Sequence, residues 1–425
     1  MQSIYDNGIG DLQKYINDGK IKEVIKKQNR RNPQKIINLA NKLRSDNVVQ
    51  EPSNDSNAPN MLNGKIIEGD IKFIYSNNIL DFNELKGISI FDNWSNTETS
   101  KELNLTHRLI AHKAGFEDLY DIYDKDPIIE LKNSIISYLN KNRKEINDSD
   151  IFETIVNDII KEDSNINNKY QKIINNCDNK LLFEELKDEL FTDVKKIYFT
   201  KDSLIDDKKN TVEEENKKGS KRDDLIKHLF KIQEIIDLYN NKNYNEFINK
   251  VNFNITKIED KIMLKEKINQ VLLSFEQNNI GFIIDLMDKL NLCYKDDKLV
   301  HFIKNNKYLY NRVKNIEYQQ FQNLYNYLEG CSPLSTQHKV KGTEYDNVLV
   351  ILDNGKWNQY NFEYLFTKPK DKESIVKRTE KIFYVCCTRA KKRLVVYYCN
   401  PSELVINKAK EIFEEENVIN IDTYL

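Results

Sequence analysis

The chain has 425 residues, a length sufficient for two or three domains that each have a core. Its 65 lysines and arginines are balanced by 67 aspartates and glutamates, so any nucleic-acid contact must come from local basic clusters. Only 12 glycines and 7 prolines argue against a β-sandwich or barrel and favour long helices with few tight turns.

The six cysteines show no Cys-x-x-Cys spacing, and Cys386 and Cys387 are adjacent within an apolar segment. We expect these two to be small core residues, and we predict neither a metal site nor a disulfide framework. No apolar run of the sequence approaches the length of about 20 residues that a membrane span needs, and the first residues lack the features of a signal peptide. The chain is therefore predicted to be cytoplasmic, without a membrane partner.

The first part of the chain, 1–105, is predicted to alternate short helices and strands. A brief helix over 11–16 is expected to end at Gly19, and 21–25 is predicted as a strand. The polar segment 51–60 is predicted to be a loop without core residues, and a second strand is predicted within 71–75. These elements indicate one portion of an α/β sheet domain.

A second helix is predicted to begin at Asn32 and Pro33. Asn32 is the expected N-cap, because its side chain can accept a hydrogen bond from the first turn, and proline is favoured at the first helical position. The apolar residues that follow recur at helical spacing: Ile36, Ile37, Leu39, Ala40 and Leu43.

The middle of the chain, 106–330, is predicted to be an inserted all-α accessory domain. Asp126 and Pro127 are expected to start a well-capped helix there. The segment 206–224 is almost entirely charged and polar, which is typical of a solvated loop or connector. Helical periodicity then resumes and continues to about Leu328.

The last part, 331–425, returns to an α/β pattern. The unbroken apolar run 348–352 is typical of a strand buried on both faces of a parallel sheet. A helix over 374–388 and a strand over 394–398 complete a βαβ unit. The simplest assembly joins both ends of the chain in one parallel sheet, so the predicted fold class is α/β with a large inserted all-α domain.

Two strings near the C-terminus carry residues suited to phosphate chemistry. In the first, Thr336 and His338 are side-chain donors that precede a turn at Lys341 and Gly342, just ahead of a buried strand. In the second, Arg389 follows an apolar helix, where a rigidly held guanidinium can reach a transferring phosphoryl group. Singly, such residues are usually parts of turns or helix ends, but their order and spacing together favour a functional interpretation.

These strings resemble motifs of the UvrD/Rep type of superfamily 1 DNA helicases. Residues 336–344 are similar to motif V and 384–390 to motif VI, and this pair is highly specific. Residues 29–32 with the following helix are similar to motif IV, and 2–5 resemble the end of motif III. The resemblance implies a RecA-like second motor domain, with the accessory domain inserted between motifs IV and V.

The resemblance also implies roles for individual residues. Arg31, Arg389 and Gln2 would be the catalytic residues, with both arginines reaching the γ-phosphate of ATP and Gln2 sensing it. Glu344 would contact the ribose, and the ATP-binding set would be Arg31, Arg389, Glu344, Gly342 and Arg30. The residues expected to contact single-stranded DNA are Thr336, His338, Lys341 and Tyr5.

The sequence departs from the family at several positions. Arg30 stands where the family usually has a tyrosine near the adenine, and residues 6–10 replace the usual aromatic-Arg-Gly run after motif III. No phosphate-binding loop is present, because each Gly-Lys pair lacks both the following Ser or Thr and the upstream glycine. ATP and Mg²⁺ would therefore be shared with a separate N-terminal ATP-binding domain, and we expect this chain alone to be inactive.

The leading hypothesis is the C-terminal portion of a 3′→5′ DNA helicase in repair, recombination or antiviral defence. Its expected partners are single-stranded DNA or a junction of single- and double-stranded DNA, and the N-terminal helicase half. The segments 104–108, 345–348 and 355–357 resemble helicases paired with overcoming-lysogenization-type nucleases, which adds a nuclease as a further partner. The alternative is a non-enzymatic nucleic-acid-binding or regulatory protein with a helicase-like surface; a purely structural helical adaptor is the third reading.

Overall fold

A computed structural model describes residues 12–22, 24–44, 46, 48–78, 88–92, 94, 96, 98–206, 220–251 and 253–423. Its contacts divide the chain into two compact units. The sheet unit consists of the residues up to Ala114 together with Asn326–Leu425, and the helical unit is Gly115–Tyr325.

The described strands, in chain order, are β1 (Gln28–Asn29), β2 (Glu51–Pro52), β3 (Met61–Leu62), β4 (Lys65–Ile66), β5 (Asp70–Ser76), β6 (Ser100–Asn104), β7 (Leu334–Thr336), β8 (Tyr345–Ile351), β9 (Ala390–Cys399) and β10 (Val418–Asn420). Six of them form one parallel sheet in the order β10-β5-β9-β8-β6-β7. Strands from both ends of the chain thus lie side by side, and the predicted α/β fold class is confirmed.

The described helices of the sheet unit are α1 (Leu12–Asn17), α2 (Gln34–Lys42) and α3 (His107–Ala114) before the insertion, and α18 (Tyr364–Thr367), α19 (Glu373–Cys387) and α20 (Glu403–Phe413) after it. Those of the helical unit, with α17 reaching its end, are α4 (Glu117–Asp124), α5 (Pro127–Asn142), α6 (Phe152–Ile159), α7 (Ser164–Ile174), α8 (Cys177–Leu186), α9 (Phe191–Val194), α10 (Lys201–Ile205), α11 (Asp224–Asn240), α12 (Tyr244–Lys250), α13 (Ile258–Ser274), α14 (Ile280–Lys289), α15 (Asp297–Asn305), α16 (Lys307–Val313) and α17 (Tyr318–Leu328). Short 3₁₀ turns occupy Ser89–Phe91, Phe275–Gln277, Lys370–Lys372, Glu415–Asn417 and Ile421–Thr423.

The central strands are buried on both faces. Along β8, Val348 and Val350 pack into the core formed with α2, α19 and α20, whereas Leu349 and Ile351 face the opposite core. This double burial explains why the strand is apolar at every position. The unit β8-α19-β9 is parallel, as predicted, and Cys386 within α19 is a fully buried core residue, as is Cys387.

Several predicted elements are confirmed near their expected positions. Helix α1 ends ahead of Gly19, whose φ of +68° is a backbone conformation that glycine adopts without strain. Helix α2 buries its predicted apolar residues Ile36, Ile37, Leu39 and Ala40. The amphipathic pattern was sufficient here because a helix packed on a sheet buries one continuous stripe.

The predicted strand over 21–25 is wrong. Its described residues lie outside any strand, and Val24 is 74% exposed. The chain instead pairs first at β1, which lies parallel to β2. Apolar residues in a short run predict a strand only when a neighbouring strand and a core are available to them.

The prediction that 51–60 lacks core residues is also wrong. Ser53, Ala58 and Asn60 are buried, and the Asn60 side-chain amide donates to the carbonyl oxygens of Asn29 (2.9 Å) and Asn32 (2.8 Å). A buried amide with such partners stabilises a loop as an apolar side chain stabilises a helix. The segment therefore supports the loop that carries Arg31.

In the helical unit, Asp126 caps α5 as predicted. Its Oδ1 atom accepts hydrogen bonds from the backbone N–H groups of Ile128 and Ile129, each at 2.8 Å. Its Oδ2 atom accepts from the Tyr308 hydroxyl at 2.9 Å and pairs with the Arg312 guanidinium. One buried carboxylate thus joins α5 to α16. None of the described helices has both the length and the apolar character required to cross a bilayer.

Two buried titratable groups near the start of α11 are expected to give the unfolding free energy opposite pH dependences. Burial lowers the pKa of His228 to about 4, and within the described chain neither ring nitrogen has a hydrogen-bond partner. Burial raises the pKa of Asp223 to about 6, although its carboxylate accepts a hydrogen bond from the Tyr123 hydroxyl at 2.8 Å.

The unfolded state holds the His228 proton between about pH 4 and 6.5, so this histidine costs stability as the pH falls. The folded state holds the Asp223 proton between about pH 4 and 6, so this aspartate costs stability as the pH rises. Relative to the wild type, His228→Phe should gain stability on acidification and Asp223→Asn on alkalinisation, by up to about 1.4 kcal/mol per pH unit. Urea unfolding across this range measures both differences; two flat differences would contradict the assignment.

Candidate functional site

Three segments that are distant in the sequence bring charged side chains together in the sheet unit. Arg31 follows β1, Glu344 directly precedes β8, and Arg389 directly precedes β9. The Arg31 Nε atom donates to Glu344 Oε2 at 2.5 Å, and these side chains are 34% and 41% exposed. Two guanidinium groups and one carboxylate leave a local charge of about +1, which favours an anion at this place.

Arg389 is held inside the protein, and its residue is only 3% exposed. Its guanidinium donates to the carbonyl oxygens of Val385 (2.9 Å) and Thr343 (3.2 Å) and to the Thr388 hydroxyl (3.1 Å). Burial, and next the positive charge of Arg31, lower the pKa of Arg389. In this conformation Arg31 is therefore the more accessible of the two predicted phosphate-binding arginines, and an anion can reach Arg389 only if these contacts rearrange.

Asn32 fixes the loop of Arg31 against the strand that follows Arg389. Its side-chain amide donates to the carbonyl oxygens of Thr388 (3.0 Å) and Ala390 (2.9 Å), the residues on either side of Arg389. Asn29 supports the same loop, because its Oδ1 atom accepts from the N–H groups of Arg31 and Asn32, both at 2.9 Å.

The expected N-cap role of Asn32 is consequently wrong. Pro33 occupies the N-cap position of α2, where there is no side-chain cap, and the Asn32 side chain is committed to the strand instead. Sequence reasoning missed Asn29 and Asn60 as supports of the site. The available signal was the repetition of short amide side chains in a loop beside Arg31, since such side chains readily bond to the backbone.

Replacing Asn32 with alanine is expected to destabilise the sheet unit by about 1 to 3 kcal/mol. The substitution leaves two buried carbonyl oxygens without donors and removes the link between the loops of Arg31 and Arg389. The midpoint of urea unfolding measures the effect. Gln34→Ala is a matched control, because that side chain bonds only to Asn38 at the surface and its loss should change stability little. Equal midpoints for both variants would contradict the role of Asn32.

The predicted DNA-binding residues after β7 differ in accessibility. Thr336 is buried, and its hydroxyl accepts a hydrogen bond from the Lys339 backbone N–H at 3.3 Å, so it stabilises the turn. Lys341 is exposed. Gly342 has a φ of +98°, a conformation that strongly favours glycine and that lets the chain turn into β8.

His338 lies in an aromatic cluster that sequence reasoning did not predict. Its Nε2 atom is 2.9 Å from the Tyr360 hydroxyl, and its ring centroid is 5.6 Å from that of Trp357. The rings of Trp357 and Tyr360 are 4.8 Å apart. We refer to His338, Trp357 and Tyr360 as the aromatic cluster. Its residues follow β7 and β8, so the carboxyl ends of two adjacent strands bring them together.

The remaining predicted site residues are not brought into this group. Arg30 points to Asp55 instead, with a separation of 2.6 Å between Nη2 and Oδ2 at an exposed position. Gln2 and Tyr5 lie outside the described residues. Among the residues that are described, no three His, Cys, Asp or Glu side chains converge in a way that could hold a metal ion.

Half of an ATP site fits these residues. Arg31 offers a forked donor set suited to phosphate oxygens, and the neighbouring carboxylate of Glu344 can accept from a sugar hydroxyl. The described residues show no cluster of oxygen ligands for Mg²⁺ and the sequence has no phosphate loop. The chain therefore supplies groups for one side of a nucleotide.

Comparison with known proteins yields one distant similarity to report. No family model matches the chain. The chain is 24% identical to Gabija protein GajB of Bacillus cereus (strain HuB5-5) over an alignment of 435 residues, which covers 97% of this chain and 54% of that protein. The chain thus spans about half the length of the curated relative it matches.

Proposed function

We propose that the chain is the C-terminal portion of an ATP-dependent DNA helicase of the UvrD/Rep type. One observation carries the proposal: Arg31, Glu344 and Arg389, which the helicase resemblance assigns to ATP, meet although up to 358 positions separate them. A fold without this function has no need to place two arginines and a carboxylate together near the ends of three segments.

The chain's own residues would act by binding and orienting one side of the nucleotide. Arg31 would exchange Glu344 for phosphate oxygens, which frees the carboxylate for a ribose hydroxyl. Arg389 would move from its carbonyl partners toward the phosphate, and this would couple the turn at Thr343 to the nucleotide. ATP would supply the phosphoryl group, and Mg²⁺ would be held by a phosphate-loop domain, which the described residues do not include.

The proposed partners follow from the same resemblance. They are single-stranded DNA or a junction of single and double strands, the phosphate-loop half of the motor, and a nuclease. Movement would be 3′→5′ along the strand. The similarity to a Gabija protein supports a role in antiviral defence, while DNA repair and recombination are the other settings that the resemblance implies.

Binding of oligo-dT at increasing salt tests the proposal. Affinity measured by fluorescence anisotropy should fall steeply with salt, since each lysine–phosphate contact releases counterions. Lys341→Ala should weaken binding and reduce the salt slope by about 0.7 to 1, and His338→Ala should weaken it as well. Lys408→Ala is the matched control, because this exposed lysine on α20 pairs with Glu411. Absent or salt-independent binding would contradict the proposal.

A non-enzymatic DNA-binding protein is the second candidate, and the internal hydrogen bonds of Arg389 favour it. Both candidates predict negligible ATP hydrolysis by this polypeptide alone, and turnover that Arg389→Ala abolishes would contradict both. They differ in the neighbouring coding sequence. A segment that encodes Gly-x-x-x-x-Gly-Lys-Thr and Asp-Glu-x-Gln beside this one favours the helicase, and the absence of such a segment favours the binding protein.

A further inference from the structure

We propose that Trp357, backed by His338 and Tyr360, is a stacking platform for an unpaired base of single-stranded DNA. This inference rests on the proposed function, because it assumes that a DNA strand passes the turn after β7. It adds a specific binding residue and a type of contact, which are assigned here from ring geometry, exposure and the surrounding backbone.

The aromatic cluster leaves one ring accessible. Trp357 is 37% exposed, whereas Tyr360 is buried and His338 is half-buried. The Trp357 and Tyr360 rings are tilted by 57°, and the Tyr360 and His338 rings meet edge to face at 77°. Two rings thus support the indole while part of its surface faces solvent, which suits stacking with a further flat ring.

The loop that carries Trp357 is held in one conformation. The Trp357 N–H donates to the Asn354 carbonyl at 2.9 Å, and the Asn354 side chain accepts from the Phe362 N–H at 2.8 Å. Gly355 and Lys356 both have positive φ, of +54° and +59°. A lysine in this conformation is strained, and strain of this kind is found where a neighbouring side chain must be positioned. The loop therefore presents Trp357 at a low entropic cost of ordering.

The platform lies over the carboxyl ends of adjacent strands. Gly355 packs so closely against the residues after β6 that an added Cβ would lie 2.7 Å from the Thr106 hydroxyl oxygen. Lys339, Lys341 and Lys356, which flank the cluster in the sequence, are exposed. Ammonium groups beside an accessible aromatic face are the two features with which proteins bind single strands, because the cations bind phosphates and the ring stacks on bases.

The occupant is a single strand rather than duplex DNA for a physical reason. In a duplex both faces of each base are covered by its neighbours, so a side chain from outside cannot stack on them without unstacking the helix. An unpaired base offers a free face, and every base has one, so the contact tolerates any sequence. A strand read in this way suits a protein that moves along DNA.

Intrinsic fluorescence tests the contact, because the chain has only two tryptophans. Trp94 is 4% exposed and packs against Phe91 at 5.1 Å. A Trp94→Phe variant reports Trp357 alone, and a Trp357→Phe variant reports Trp94 alone. On titration with an oligo-dT of about 15 nucleotides, emission of the first variant should be quenched and that of the second should stay unchanged. Anisotropy of a labelled oligonucleotide records binding in parallel.

Affinity gives the second readout. Trp357→Ala should weaken oligo-dT binding by about 5- to 150-fold with an unchanged salt slope, while Trp357→Phe should largely retain it. Thermal unfolding of each variant shows whether the fold is kept. If oligo-dT binds with a steep salt dependence but Trp357 emission and the affinity of Trp357→Ala do not change, the platform is refuted and the proposed function stands. If oligo-dT does not bind at all, both are refuted.

Discussion

Replacing Arg31 with alanine is expected to lower ATP turnover by about 10³- to 10⁵-fold once the chain is assembled with its phosphate-loop domain. A guanidinium that contacts the transferring phosphoryl group stabilises charge in the transition state, and losing it has effects of this size. Of the two predicted arginines, Arg31 has the more accessible side chain and only one ion-pair partner to release, Glu344. Hydrolysis stimulated by single-stranded DNA is the measurement.

Two further variants make this result specific. Arg31→Lys keeps the charge but loses the forked geometry, so it should restore only part of the activity. Arg143→Ala removes an exposed arginine at the end of α5 in the helical unit and should leave turnover unchanged. An Arg31→Ala enzyme with turnover like that of Arg143→Ala would show that Arg31 does not act on phosphate.

Replacing Asp126 with alanine is expected to destabilise the helical unit by about 3 to 5 kcal/mol. The change removes the N-cap of α5, the acceptor of the Tyr308 hydroxyl and the counter-charge of Arg312. Arg312 would keep its charge near a largely buried position without a partner, and this is the dominant cost. Urea unfolding followed by far-UV circular dichroism measures the difference.

Asp163→Ala is the matched control for this experiment. Asp163 caps α7 by accepting from the N–H groups of Asn165 (2.9 Å) and Ile166 (3.0 Å). It reproduces the cap of Asp126 without the buried arginine, so its loss should cost only about 1 kcal/mol. If the two variants lose equal stability, the ion pair of Asp126 contributes nothing beyond the cap.

The sequence was informative wherever a local pattern is also the tertiary requirement. The apolar run of β8 predicted a doubly buried strand, and Asp126-Pro127 predicted the start of α5, because strand burial and helix capping depend on neighbouring residues. The predicted strand over 21–25 failed for the opposite reason. Its apolar residues fit a strand, but the sheet offers them no neighbour, and Val24 remains exposed.

The candidate site shows the same division. Arg31, Glu344 and Arg389 could be named from motif order alone, but no local pattern states that Arg389 is committed to the Val385 and Thr343 carbonyls. Nor does a pattern place Asn32 across Arg389, since the same residue before a proline fits a helix cap equally well. Hydrogen-bond partners far apart in the chain are decided by packing.

By itself, then, the sequence determined the α/β class, the helical insertion and the residues with phosphate chemistry, because periodicity and motif spacing are properties of short segments. Only the tertiary structure decided which arginine is accessible, and only it brought Trp357 beside His338 and Tyr360. The physical reason is that a parallel sheet aligns the carboxyl ends of strands that are separated along the chain, so loops that are unrelated in sequence meet at one edge.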